Sequence, residues 1–166
     1  MGNTHFSGPV FSAGGFATGT DTVITPLTAS TTIPSSTTTE DYNGRIIPLS
    51  AAAGLTITLP AATGTQATYR FLVTTTVTSN SNIIKVANAT DFMVGSVSVS
   101  ATTGVNYTTV GGAAASCTDT ITMSGTTTGG VAGSIVELTD VATSVWLVNG
   151  RLLGSGTTAT PLSAGV

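Results

Sequence analysis

Charge is what this sequence has least of. Of its 166 residues only 4 are Lys or Arg and 7 are Asp or Glu. Charged side chains therefore make up 7% of the chain, where soluble domains usually carry about 25%. Four cations and a net charge of −3 give no electrostatic footprint for a phosphate backbone or an anionic lipid surface, so neither nucleic acid nor membrane is an expected partner. A single cysteine, Cys117, excludes an intramolecular disulfide framework. A single histidine, His5, leaves a Ser-His-Asp or Cys-His site with one possible base, and such a base must be held within hydrogen-bond reach of its nucleophile. Two Cys or His residues cannot make the four-ligand set of a structural zinc site. Aromatics are 5% of the chain, few for stacking sugars. No apolar run approaches the roughly 20 residues of a membrane helix; the longest strongly apolar one is Val145 to Val148. Met1 to Phe6 contains no Lys or Arg and no run of signal-peptide length, so synthesis in a cytoplasm is expected.

What fills the space left by charge is hydroxyl: 36 Thr and 17 Ser, beside 20 Gly. Thr, Val and Ile favour strands, and the residues that populate exposed helix faces are nearly missing. With 40% apolar residues, a chain of this length buries a core.

The chain divides at about residue 41. Residues 1–41 are rich in Gly, Ser, Thr and Pro, and Pro9, Pro26 and Pro34 leave no room for a long regular element. This part reads as an extended N-terminal arm. Its Phe6, Val10, Phe11 and Phe16 suit a segment lying against a surface, either its own domain or a partner. Residues 42–166 read as one all-β domain. Arg45 to Leu49 contains Pro48 and suits an edge strand. Leu55, Ile57 and Leu59 alternate with Thr56 and Thr58 and stop at Pro60. Tyr69 to Thr78 places Tyr69, Phe71, Val73 and Val77 on one face. Ile83 to Val86 follows a turn at Ser79-Asn80-Ser81-Asn82. Val94 to Ser100, Cys117 to Met123 and Ile135 to Leu138 come next, with Val97, Val99, Cys117, Ile121 and Met123 inward. Val145 to Val148 and Arg151 to Leu153 flank Asn149-Gly150, a type I′ hairpin signal. Eight or nine short strands predict an antiparallel β-sandwich, jelly roll or small barrel. The Thr-x-Thr pieces raise the question of a solenoid, or of a flat ice-binding or adhesive Thr array, but their unequal spacing fails the repeat test.

No motif carries catalysis. Gly111-Gly112 and Gly129-Gly130 lack the lysine of a phosphate loop. Asp119, Glu137 and Asp140 are candidate calcium ligands without the spacing of a calcium loop, and two distant carboxylates could meet as a glycosidase pair. Asn88-Ala89-Thr90 and Asn106-Tyr107-Thr108 match the glycosylation pattern, as chance provides in a Thr-rich chain. No enzymatic activity, cofactor or metal is expected. Soluble sheets guard their edges with Lys, Pro or inward charge, and here the only lysine is Lys85. Either the sheets close on themselves or copies and partners cover the edges. Trp146 alternates with Val145 and Leu147, faces opposite to them and reads as a core or intersubunit anchor; Arg70, Trp146 and Arg151 are the candidate residues of a subunit interface.

The opening Asn3-Thr4-His5-Phe6-Ser7-Gly8-Pro9-Val10, the strand Leu55-Thr56-Ile57-Thr58-Leu59-Pro60, the pair Tyr69-Arg70-Phe71, the stretch Ile84-Lys85-Val86-Ala87-Asn88 and the run Glu137-Leu138-Thr139-Asp140-Val141-Ala142-Thr143 before Trp146 resemble small β-rich structural proteins of tailed bacteriophages. The resemblance implies a head decoration, or cement, protein: a trimer on the outside of the capsid, bound to the major capsid protein. Asn3, Thr4, His5, Phe6, Ser7, Gly8, Pro9, Val10 and Phe11 would then form the capsid-binding arm, adding a strand and seating Phe6 and Phe11 in pockets. Related phage proteins serve as head fibres, knobs or tail components that recognise a host surface, which is the alternative role.

Overall fold

A computed structural model describes residues 24–34, 42–101, 104–110 and 118–165. Among the described residues the structure is all-β, with 47% of them in strands, no helix and no closed barrel. The strands are β1 (Thr31–Thr32), β2 (Ile46–Leu49), β3 (Thr56–Thr58), β4 (Thr68–Val73), β5 (Asn82–Lys85), β6 (Phe92–Ala101), β7 (Gly104–Val110), β8 (Thr120–Met123), β9 (Ile135–Ala142), β10 (Val145–Leu153) and β11 (Leu162–Ser163). They form two packed sheets, one of five strands in the order β1-β3-β5-β8-β11 and one of six in the order β2-β4-β9-β10-β6-β7.

The sandwich is thus the expected class, but its sheets are mixed rather than antiparallel throughout. From β1 to β5 the chain alternates between the sheets, so that β1 pairs with β3, β3 with β5, and β2 with β4, all in parallel. This is the winding of a two-sided coil, and it needs no sequence repeat. Thr31 lies beside Ile57, Ile57 beside Ile84, and Ile47 beside Phe71. What recurs is an inward apolar residue at matching levels of β3 and β5 and of β2 and β4, which unequal connecting loops do not disturb. From β6 onward antiparallel pairing takes over, except that β10 lies parallel to β6 over its whole length.

The core lies between the sheets and follows the alternation. Leu55, Ile57, Leu59, Ile121 and Met123 are buried from the side of the five-stranded sheet, and Tyr69, Phe71, Val73, Val97 and Val99 from that of the six-stranded one. Trp146 is fully buried and its ring lies 5.8 Å from that of Tyr69, centroid to centroid, with the planes tilted by 49°. Residues 24–34, expected as the end of the arm, lie on this body. Leu27 bridges to Leu49, β1 pairs with β3, and Ile33 is buried in the core. Pro48 does mark an edge strand, β2.

Several strand limits differ from the expectation. β4 ends at Val73: Thr74 and Thr75 donate their N–H groups to Leu49 O, the last residue of β2, and Val77 then donates to Gly130 O, outside the sheet. Asn82 belongs to β5 rather than to the preceding turn; it is buried, and its Oδ1 accepts the N–H of Leu55. β7 has no counterpart among the expected strands. Cys117 lies outside the described residues.

The largest difference is at Asn149-Gly150, which is no turn. Both residues sit inside the single nine-residue strand β10, with Asn149 between Glu137 and Ser96 and Gly150 between Val136 and Val97. The reversal occurs earlier, at Thr143-Ser144, where Ser144 takes a φ of 62°. Gly150 serves packing: a Cβ there would stand 2.7 Å from Val136 Cγ2 and 3.1 Å from Val97 Cγ1. Gly150→Ala is accordingly expected to overpack the core and cost about 1–3 kcal/mol, measured as a lowered midpoint in urea unfolding. A loss below about 0.5 kcal/mol would contradict the close packing.

Candidate interaction surface

Sheet register decides where the proposed interface residues stand. Arg70, on β4, is directly opposite Glu137 on β9 and donates from Nε to its Oε2. Asn149 continues that row on β10, and Ile46 begins it on β2. Arg151 lies one row along, in line with Pro48, Leu72 and Ile135 on one side and with Ser98 on the other. Arg70 and Arg151 therefore share the outer face of the six-stranded sheet. Trp146 does not join them. It points from β10 into the chain's own core, opposite to exposed Leu147, and is fully covered there without a second subunit. The arm residues Asn3, Thr4, His5, Phe6, Ser7, Gly8, Pro9, Val10 and Phe11 lie outside the described residues.

The outer face is poor in charge. Arg70 and Glu137 satisfy each other across it, and Arg151 stands beside a shallow depression of about 160 Å³ lined by Ile135, Glu137 and Asn149. Ile46, Leu147 and Leu153 are among the large apolar side chains most exposed in the protein, at 49%, 44% and 39%. Such a face loses little on being covered, since few strongly hydrated groups must give up water. The outer face of the five-stranded sheet is different. Thr58, Lys85 and Thr120 stand in one row and Thr56, Ile83 and Thr122 in the next, so Lys85 and Ile83 interrupt what would otherwise be a continuous Thr array.

The carboxyl groups explain where much of the chain's scarce charge goes. Asp140 is 2% exposed, and its two oxygens accept the N–H groups of Thr63, Gly64 and Thr65 and the hydroxyl of Thr65. Burial by itself would raise its pKa. The four donors, led by the backbone N–H groups of Thr65 and Gly64, outweigh burial and hold the carboxyl below its ordinary value. Asp91 accepts the N–H of Ala62 on the same crossing loop, and Asp119 accepts from Thr120 Oγ1 and Gly165 N. Glu137 faces outward and Asp140 inward from one strand, while Asp119 precedes β8 in the other sheet, so the three candidate calcium ligands do not converge. Among the described residues no group of three or more His, Cys, Asp or Glu could hold a metal ion. The cavity beneath the loop, lined by Thr63, Tyr69, Asp140 and Trp146, measures about 30 Å³, far below the roughly 300 Å³ or more of a small-molecule site. Asn88, in one of the two glycosylation-like triplets, accepts from Thr90 N, Thr90 Oγ1 and Asp91 N in a local turn.

Since folding lowers the pKa of Asp140, its contribution is complete above the ordinary aspartate pKa and is lost as the pH falls through the folded value. Asp140→Asn replaces one acceptor oxygen by a donor and is expected to destabilise the protein by roughly 3 kcal/mol at pH 7. The variant should also lose less stability than the native chain between about pH 5 and about pH 2. Urea titrations at several pH values would test both effects, and equal acid sensitivity in the two proteins would contradict the assignment. Comparison of the chain with protein-family models, with curated proteins and with solved structures finds no match.

Proposed function

We propose that this chain is a structural virion protein that binds the outside of a phage capsid as a homo-oligomer and stabilises the shell, without catalysing a reaction. The observation that carries the structural role is the outer face of the six-stranded sheet, where Ile46, Leu147 and Leu153 are exposed around a single satisfied ion pair. Solvent-facing sheet surfaces of free monomers are normally rich in charge; this one suits being covered. The described carboxylates fit the same reading, because three of the four are buried and hold backbone N–H or neighbouring side-chain donors in place. The capsid as partner, and three copies as the number, follow from the resemblance of the quoted segments to phage structural proteins. Stabilisation would act by mass action: each bound subunit favours the assembled shell, and several arms on one oligomer raise the effective concentration of the next.

Co-sedimentation of the purified chain with empty phage shells tests the proposal. Binding at saturable stoichiometry is expected, together with a raised thermal transition of the shell. A chain lacking residues 1–11 should keep the cooperative unfolding of the body and lose binding. Retained binding would overturn the arm as anchor, and binding to host cells but not to shells would favour a fibre or tail role.

A further inference from the structure

Two sheets that do not close have four edges, and the chain treats them unequally. β1 and β11, the edges of the five-stranded sheet, are two residues long. β2, at one edge of the six-stranded sheet, carries Pro48, and its outer side is taken by Leu27, whose N–H donates to Pro48 O and whose carbonyl accepts from Ser50 N. Short length, proline and a covering segment are the usual ways of blunting an edge. The fourth edge, β7, has none of them among the described residues. It runs for seven residues, Gly-Val-Asn-Tyr-Thr-Thr-Val, with no proline, lysine or other charge. Its inner side pairs with β6 from Gly104↔Ala101 to Val110↔Gly95, and among the described residues no segment pairs with its outer side.

We infer that β7 is the surface through which two copies of this chain join, edge to edge and antiparallel about a two-fold axis centred on Tyr107, so that the two six-stranded sheets continue into one. The occupant is a second copy for two reasons. Head-to-tail pairing would need a second long open edge, and the described residues have none, whereas a two-fold contact needs only one strand that matches itself. Self-pairing also sets each residue against a position of its own copy, which is unfavourable when like charges meet; β7 carries no charge. The register centred on Tyr107 engages all seven residues, placing Val105 opposite Thr109 of the other copy. The inference rests on the homo-oligomer in the proposed function and names its contact; a two-fold contact joins copies in pairs and so puts an even number in place of the three that the resemblance implies.

The test uses the full chain. Native mass spectrometry at micromolar concentration should show even-numbered species. Val105 and Thr109 stand in register with Ser100 and Ser96 of β6. The double variant Val105→Lys/Thr109→Lys sets lysines against lysines across the axis and should raise the dissociation midpoint by about tenfold or more. Independently, Tyr107→Cys in a Cys117→Ser background should give a disulfide-linked dimer under mild oxidation. A native chain that is monomeric, pairing that survives the two lysines, or paired copies without the cross-link would overturn the inference. Shell binding by a monomeric chain would remove this contact and leave the capsid reading standing. Paired copies that ignore shells would do the reverse.

Discussion

The sandwich depends on the carboxylate of Asp140. Because the first half of the chain alternates between sheets, the connections from β2 to β5 cross from one sheet to the other, and a crossing segment has no ladder of its own to satisfy its backbone. The segment from Leu59 to Ala67, between β3 and β4, is such a case. Three of its successive N–H groups, at Thr63, Gly64 and Thr65, converge on Asp140. Gln66 N donates to the Asp140 carbonyl and Asp140 N to that of Ala67. The loop is thereby fixed over Trp146 and Tyr69, at the end of the core where the largest side chains are buried. A carboxylate suits this place because it accepts several charge-assisted hydrogen bonds at once.

That use of aspartate has a consequence for the surface. A chain with so few acids that buries three of them in scaffolding has little negative charge left for the outside of its body. Outer strand positions are then filled by Thr, Ser and a few aliphatic residues, which satisfy the pleat and the strand preference but bind water weakly. The composition and the proposed role are therefore linked through the fold: the winding requires internal acceptors, the acceptors consume the acids, and the exposed sheet is left easy to cover.

The parts of this architecture legible in the sequence are those set by alternation alone. Leu55-Thr56-Ile57-Thr58-Leu59 states which side is buried without reference to any neighbour, and all three apolar residues are in the core. Trp146 was legible in the same way as a residue opposite Val145 and Leu147, but whether its cover is a core or a partner depends on the tertiary packing. Asn149-Gly150 misled because a turn signal is local, while the need for a small residue between Val136 and Val97 is not. β7 is hidden by its setting: Val105, Tyr107, Thr108 and Val110 are good strand residues, yet Asn106-Tyr107-Thr108 also matches the glycosylation pattern and Gly104 and Gly111-Gly112 flank the stretch. Asp140 carried no local signal, since its donors lie 75 to 77 residues away.

The scarcity of charge admitted two explanations, closure or cover. A closed barrel has no edges to guard, and its composition could be this bland without any partner. The sheets here remain open, so each edge needs an explanation of its own. Two are too short to recruit a strand, and a third is covered by the chain's own residues around Leu27. Among the described residues, local economy explains three edges and leaves one. If the chain tolerated open edges indifferently, there would be no reason for Leu27 to lie along β2 or for β1 and β11 to stop after two residues. The selectivity of the blunting, more than the openness of β7 itself, is what makes that strand read as an interface.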